Sequence, residues 1–165
     1  MALKSENMKK ILNIIIGLFS VVMATVSCQK ETSADKTIDQ TLVGEWHLTS
    51  AKAEGTSIHE GIDVYLCIMA DCSFEIYQKS GTQEIRYDLY TGTCFTENGV
   101  LTGVYSNGKS WGGKYIYTKT ADKLLLKTTN NIEEQTYTKC QIPAEVRENA
   151  NTNTRSVSVT GSPIL

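Results

Sequence analysis

The chain has 165 residues, 16 Lys and Arg against 18 Asp and Glu, and 41% hydrophobic residues. That length suits one domain with appendages. The near balance of charge, with no basic block interleaved with aromatics, leaves no electrostatic footprint for nucleic acid.

The chain opens on a targeting segment. "MKK" at residues 8–10 is a positive n-region, and "ILNIIIGLFSVVMA" after it is an apolar run of h-region length. That run includes Asn13 and falls short of the ~20 apolar residues of a stable membrane span. Residues 1–27 therefore read as a signal peptide. Its end, "ATVSC", places small residues directly before Cys28. A cysteine in that position resembles the lipobox of bacterial lipoproteins. The resemblance implies cleavage before Cys28 and a diacylglycerol on its thiol. It also implies a lipid anchor in the outer membrane of a Gram-negative cell, on the periplasmic or the surface face. Thr25 departs from the pattern, which more often has Leu or Val there. Each acyl methylene buried in the bilayer contributes ~0.8 kcal/mol to such an anchor. Without its first 28 residues the chain carries 13 Lys and Arg and 17 Asp and Glu, a net charge of −4. That is ordinary for an exported soluble domain and points to no acidic ligand.

Residues 28–40 hold the lipidated cysteine and a polar run of mixed charge, "QKETSADKTIDQ". A segment so poor in large apolar groups does not offset its ordering entropy, and it is predicted to be a flexible tether. Residues 41–143 then read as short strands broken by turn residues. The first is "LVGEWHLTSAK" at 42–52. "IDVYLCIM" (62–69) and "SFEIYQK" (73–79) flank a tight turn at "ADC". "EIRYDLYTGTCF" (84–95) leads to "ENG" at 97–99, an Asn-Gly turn that tolerates positive φ. "VLTGVYS" (100–106) ends at a second "NG". "KYIYTKT" (114–120), "KLLLKTT" (123–129) and "EEQTYTKCQI" (133–142) complete the series.

No segment shows a capped 3.6-residue period, so the fold class is all-β. Short turns force successive strands to be antiparallel neighbours. Eight strands in order predict an antiparallel up-and-down barrel, with a sandwich as the rival. Alternation predicts Phe74 and Ile76 inside with Trp46, and Glu75 and Tyr77 outside. Tyr115 and Tyr117 share one face, opposite Ile116. Residues 144–165, rich in Asn, Thr and Ser, are predicted to be a disordered tail.

Two stretches of the barrel carry a resemblance. "LVGEWHLTS", with Gly44 and Trp46, resembles the G-x-W signature on the first strand of lipocalins and other calycins, where the Trp plugs one barrel end. "FTENGVLTGVYSNGKSWGGKYIYTKTADKLLLKTT" resembles a group of bacterial lipocalin-like lipoproteins. "ADCSFEIYQ" and "YTKCQIP" match the same group, which commonly has Gly where Cys72 stands. The resemblance covers residues 42–143 and implies an eight-stranded lipocalin-like barrel shaped as a cup. Arg147 lies beyond Pro143, out of place for the arginine that stacks on the signature Trp. Cys72 in place of Gly implies a different turn geometry.

The residues offer little chemistry. Cys67, Cys72, Cys94 and Cys140 remain once Cys28 is set aside, an even number that permits disulfides in an oxidising envelope. Three connectivities are open, and buried free thiols are the competing reading. No C-x-x-C is present, and His47 and His59 have no metal-ligand spacing, so neither a metal nor a cofactor is expected. No G-x-S-x-G elbow exists. Glu75, Glu84, Asp88 and Glu97 read as solvated strand charges, and no catalytic residue is assigned.

Aromatics are the suggestive group. Trp46, Tyr65, Phe74, Ile76, Tyr87, Tyr105, Trp111, Tyr115 and Tyr117 are the candidate ligand-lining residues. A barrel of eight strands holds one small ligand or is filled by its side chains. The sequence therefore supports a monomeric, non-enzymatic, membrane-anchored lipoprotein that binds a small, mostly apolar ligand in or at the barrel mouth. The alternative is a structural or protein- or glycan-interaction lipoprotein with a filled core. The number of large side chains pointing inward separates the two.

Overall fold

The chain is described by a computed structural model over residues 36–58, 60–80, 86–151 and 163–165. The predicted signal peptide, Cys28 and His59 lie outside the described residues. The described residues form nine strands in chain order: β1 (Gly44–Ala53), β2 (Thr56–Ser57), β3 (Ile62–Ile68), β4 (Ser73–Ser80), β5 (Asp88–Glu97), β6 (Val100–Tyr105), β7 (Tyr115–Lys119), β8 (Lys123–Thr128) and β9 (Glu133–Lys139). From β3 onward each pairs antiparallel with the next, and β1 pairs with both β3 and β9. Trp46 faces Leu66 on one side and Lys139 on the other, which closes eight strands into a barrel. The two-residue β2 is an extra strand on the end of β1.

The meander is written in its turns. Asn98 (φ 50°) and Gly99 (φ 78°) both take the left-handed backbone that a two-residue hairpin needs between β5 and β6. Cys72 takes φ 69° at the β3–β4 turn. The expectation of a different geometry there is corrected: the cysteine adopts the conformation a glycine favours. Its carbonyl is tied by Cys94 N at 2.8 Å, and its thiol donates to Lys36 O at 3.3 Å.

Alternation along the strands sends one set of side chains inward. Trp46, Leu48, Val64, Leu66, Phe74, Ile76, Leu101, Tyr115, Leu124, Leu126 and Tyr137 are all at 1% exposure or less. Ile116, one residue out of phase with Tyr115, is 48% exposed. Burial of one such Leu or Phe side chain contributes roughly 1.5–3 kcal/mol.

Two predicted flexible segments are ordered where they are described. The tether assignment fails for residues 36–40. Ile38 is buried in the barrel core, and Gln40–Leu42 forms a 3-10 turn capped by Asp39. One branched apolar side chain with a place in the core outweighs the polarity around it. The disordered-tail assignment fails at residues 144–151 and 163–165. Helix α1 (Ala144–Glu148) follows Pro143, and Val146 is buried on the outer wall with Ile142, Cys67 and Tyr77. Arg147 holds the helix in place through Glu45 at 2.8 Å and Glu75 at 3.2 Å. Asn151 then bridges to β5 at Asp88. Residues 163–165 return to the barrel, as described below.

Candidate functional site

The two barrel ends differ. At one end lie the start of β1 and the β3–β4, β5–β6 and β7–β8 turns. Trp46 fills it, donating from Nε1 to Leu42 O at 3.0 Å. Gly44 has φ 147°, a backbone few side chains accept, and a Cβ there would stand 3.8 Å from Trp46 Nε1. The segment before β1 crosses this end. Thr96 N donates to Thr37 O at 2.8 Å, and Tyr117 OH donates to Asp39 Oδ2 at 2.9 Å. Hydrogen bonds from Thr41 and Tyr117 hold the Asp39 carboxyl below its ordinary range. Arg147 is on the outer wall and does not reach Trp46, in keeping with its position in the sequence.

The opposite end is the mouth. It is lined by the start of β7, the ends of β4 and β6, and the start of β9. Tyr105, Trp111 and Tyr115 form an aromatic cluster that runs inward from it to Phe74, near the start of β4. Ring centroids are 5.1 Å apart for Phe74 and Trp111, and 5.6 Å for Phe74 and Tyr105, both edge-to-face. Trp111 enters because Gly103 lacks a side chain, and Trp111 N donates to Gly103 O at 2.9 Å. Gly108 (φ 85°) turns the chain that delivers it. The "G-x-Y-S-N-G-x-x-W" pattern thus has a local physical meaning: a gap, a turn and the ring that fills the gap. Trp111 Nε1 and Tyr115 OH are buried with no hydrogen-bond partner among the described residues, and the Gln135 side chain is near enough to the Tyr115 hydroxyl to offset part of the upward push of burial. Burial pushes the Tyr105, Tyr115 and Tyr137 hydroxyls well above their ordinary range. They are neutral donors at any physiological pH.

Residues 163–165 occupy this mouth. Leu165 is 3% exposed within the core cluster, and Ile164 packs against it. Ile164 N donates to Gln78 Oε1 at 3.0 Å. Gln135 Nε2 donates to Ile164 O at 2.9 Å. Tyr105 OH donates to Leu165 O.

The candidate lining residues divide accordingly. Trp46, Phe74, Ile76, Tyr105, Trp111 and Tyr115 are inside, and Tyr117 packs against the core at the closed end. Tyr65 and Tyr87 are not. Tyr65 alternates with inward Val64 and Leu66, so the pleat turns it outward. There it stacks on His47 at 4.5 Å and meets Tyr87 edge-on at 6.0 Å. His47 Nε2 lies 2.8 Å from Asp63 Oδ1, and Tyr87 OH donates to Asp63 Oδ2 at 2.5 Å. Burial pushes the Asp63 carboxyl up, but the Tyr87 and His47 hydrogen bonds outweigh it and hold it below the ordinary range.

The sequence reading missed Gln78, Gln135, Ile164 and Leu165. The signal was present in part. Gln78 shares its parity with Phe74 and Ile76, and Gln135 with Tyr137, so both amides point inward. A polar side chain at an inward position needs a partner.

The four described cysteines are free thiols. Burial raises Cys94 to about 12. Among the described residues no three of His, Cys, Asp and Glu gather as a metal set. A shallow cleft of about 470 Å³ is lined by Met69, Thr91, Thr93, Val104 and Ser106 among others, and its one carboxylate, Glu75, is engaged by Tyr77 and Arg147.

No family model matches the chain. Nor does any curated protein match it. Among solved structures it is similar to a lipoprotein YedD from Klebsiella pneumoniae subsp. pneumoniae MGH 78578, at 11% identity and a TM-score of 0.46, over 72% of this chain and 88% of that one. It is also similar to a DUF4847 family protein from Bacteroides vulgatus ATCC 8482, at 10% identity and a TM-score of 0.42, over 58% of this chain and 92% of that one.

Proposed function

We propose that this chain is an exported lipoprotein, anchored through Cys28, whose barrel is a non-catalytic interaction module. The anchor would hold it at the outer membrane of a Gram-negative cell. One observation carries the reading against a deep ligand cup: the interior is filled by the barrel's own large side chains. Trp46, Phe74, Tyr115 and Tyr137 are each at 0–1% exposure, and buried aliphatic side chains, Leu48, Leu66, Ile76 and Leu126 among them, complete the same cluster. Segments of the same chain cover both ends, through Ile38 and Leu42 at one and Leu165 at the other. Protein interiors are close-packed, so a core occupied by these side chains leaves little room for a guest without repacking.

A small apolar ligand held at the mouth is the second reading. It is favoured by the orphaned Trp111 Nε1 and Tyr115 OH, which a polar group of such a ligand would satisfy. Titration of the purified protein with a fluorescent fatty acid separates the two. The interaction-module reading expects no saturable binding and unchanged tryptophan emission. Saturable one-to-one binding that quenches Trp111 would favour the ligand cup.

A further inference from the structure

We propose that the barrel mouth is a binding site for an extended, branched-aliphatic peptide segment, held in cis by residues 163–165 and open to the same kind of segment from a partner. This rests on the interaction-module reading and names the chemistry of its partner.

The mouth reads the backbone of one residue on both sides. Gln78 from β4 accepts from Ile164 N at 3.0 Å, while Gln135 from β9 donates to Ile164 O at 2.9 Å. Tyr105 from β6 donates to the main-chain oxygen of the next residue, Leu165. Three strands thus contribute one group each, and all of them address main-chain atoms. Nothing in these contacts depends on which side chain the occupant carries.

The reader is preset. Tyr137 OH donates to Gln135 Oε1 at 2.7 Å, which turns Nε2 of that amide towards the mouth. Gln78 is 4% exposed and Gln135 is 2% exposed. Two buried amides, on β4 and β9, are costly to keep in a largely apolar barrel unless they are hydrogen-bonded. Apolar residues would fill the same volume without that cost if packing were the only task. The side chains of the occupant meet a different surface. Leu165 enters the apolar cluster that contains Phe74, Tyr105 and Trp111, and Ile164 packs at its edge. The site therefore selects extended backbone with aliphatic side chains, as strand-like peptide sites do.

The cis occupant is joined to α1 through residues 152–162, a stretch of Asn, Thr, Ser, Val, Arg and Gly without a proline. A segment on the same chain competes as an intramolecular ligand, at an effective concentration and not at its bulk one. A partner peptide in trans would have to exceed that, or the cis segment would have to be withdrawn.

The test uses the full chain and the capped peptide acetyl-Gly-Ser-Pro-Ile-Leu-amide. In the native protein, excess peptide is expected to move the Ile164 and Leu165 amide resonances while the β4 and β9 resonances stay bound-like. A Leu165→Asp chain should release its own segment and bind the peptide at least tenfold more tightly than the native chain. Adding Gln135→Leu should remove most of that gain, because the donor to the peptide carbonyl is lost. No peptide binding by a folded Leu165→Asp chain at millimolar peptide overturns the proposal. So does binding that Gln135→Leu leaves unchanged. Should Leu165→Asp fail to fold, the native displacement decides: unmoved Ile164 and Leu165 resonances at saturating peptide overturn it. Decanoate run in parallel tells the two failures apart. Decanoate bound in place of peptide overturns both the peptide assignment and the interaction-module reading. Binding of neither overturns the peptide assignment alone.

Discussion

Trp111 lies directly against the backbone of Gly103, on the inner wall of the barrel. A Cβ at residue 103 would stand 2.3 Å from Trp111 Cε2, closer than any real contact. Gly103→Ala must therefore displace the ring. The expected cost is about 1–3 kcal/mol, as for other overpacked cores, read as a lower urea midpoint with red-shifted tryptophan emission. Gly112→Ala is the control, since nothing lies within 4 Å of a Cβ there. It should change stability by less than about 0.5 kcal/mol. Equal effects from the two would contradict the packing described.

Asp63 sets an acid limit on the outer wall. Its native carboxyl titrates below the ordinary value of 3.8 because Tyr87 and His47 bond its charged form. A depressed native pKa adds stability that is present above the unfolded value and lost as pH falls through the native one. The protein should lose stability below about pH 4 for this reason. Tyr87→Phe removes one of the bonds, so Asp63 should titrate higher. The variant should be less stable at neutral pH and lose less on acidification. Carboxyl NMR titration and urea midpoints across that pH range check it. An Asp63 that titrates above its ordinary value in the native protein would refute the arrangement.

The barrel register narrows the disulfide connectivities that composition leaves open. Cys67 and Cys140 both flank Glu45, one on each side. Two strand spacings put their backbones about 9–10 Å apart, beyond the ~7 Å limit for a bridge. Cys72 and Cys94 sit opposite each other, one step beyond the Ser73–Thr93 pair. A mild oxidant should therefore give a Cys72–Cys94 bridge and no Cys67–Cys140 bridge by peptide mapping. Alkylation of the reduced native protein should mark Cys72 and Cys140 first, because Cys94 is fully buried and Cys67 is 8% exposed. A mapped Cys67–Cys140 bridge in folded protein would break the register.

The anchor has its own test. Cys28→Ser should abolish labelling by a clickable palmitate analogue and shift the protein from the detergent phase to the aqueous phase. Continued partition of the variant into detergent would mean that another segment holds the membrane.

How much of this was legible in the sequence follows from which interactions are local. Phe74 and Ile76 alternate cleanly with Glu75 and Tyr77, and the strand boundaries followed within a few residues. Asn98-Gly99 announced its own turn. Tyr65 was misplaced because an aromatic looks like a core residue until its phase is counted against Val64 and Leu66. Ile38 was lost among polar neighbours, since its value comes from a barrel end assembled by distant strands. The same holds for Ile164 and Leu165. Their partners, Gln78 and Gln135, lie on β4 and β9 and become neighbours only when the barrel closes. A helix as short as α1 has no periodicity to read, and its position depends on Arg147 reaching Glu45 and Glu75.

A barrel filled by its own chain has no room for a guest, and native mass spectrometry of the protein purified from its membrane fraction puts that to the test. The expected mass is that of the acylated polypeptide and nothing more, with the same charge-state distribution after extraction with organic solvent. A stoichiometric lipophilic adduct that survives desolvation, and whose removal exposes Trp111 fluorescence, would contradict it.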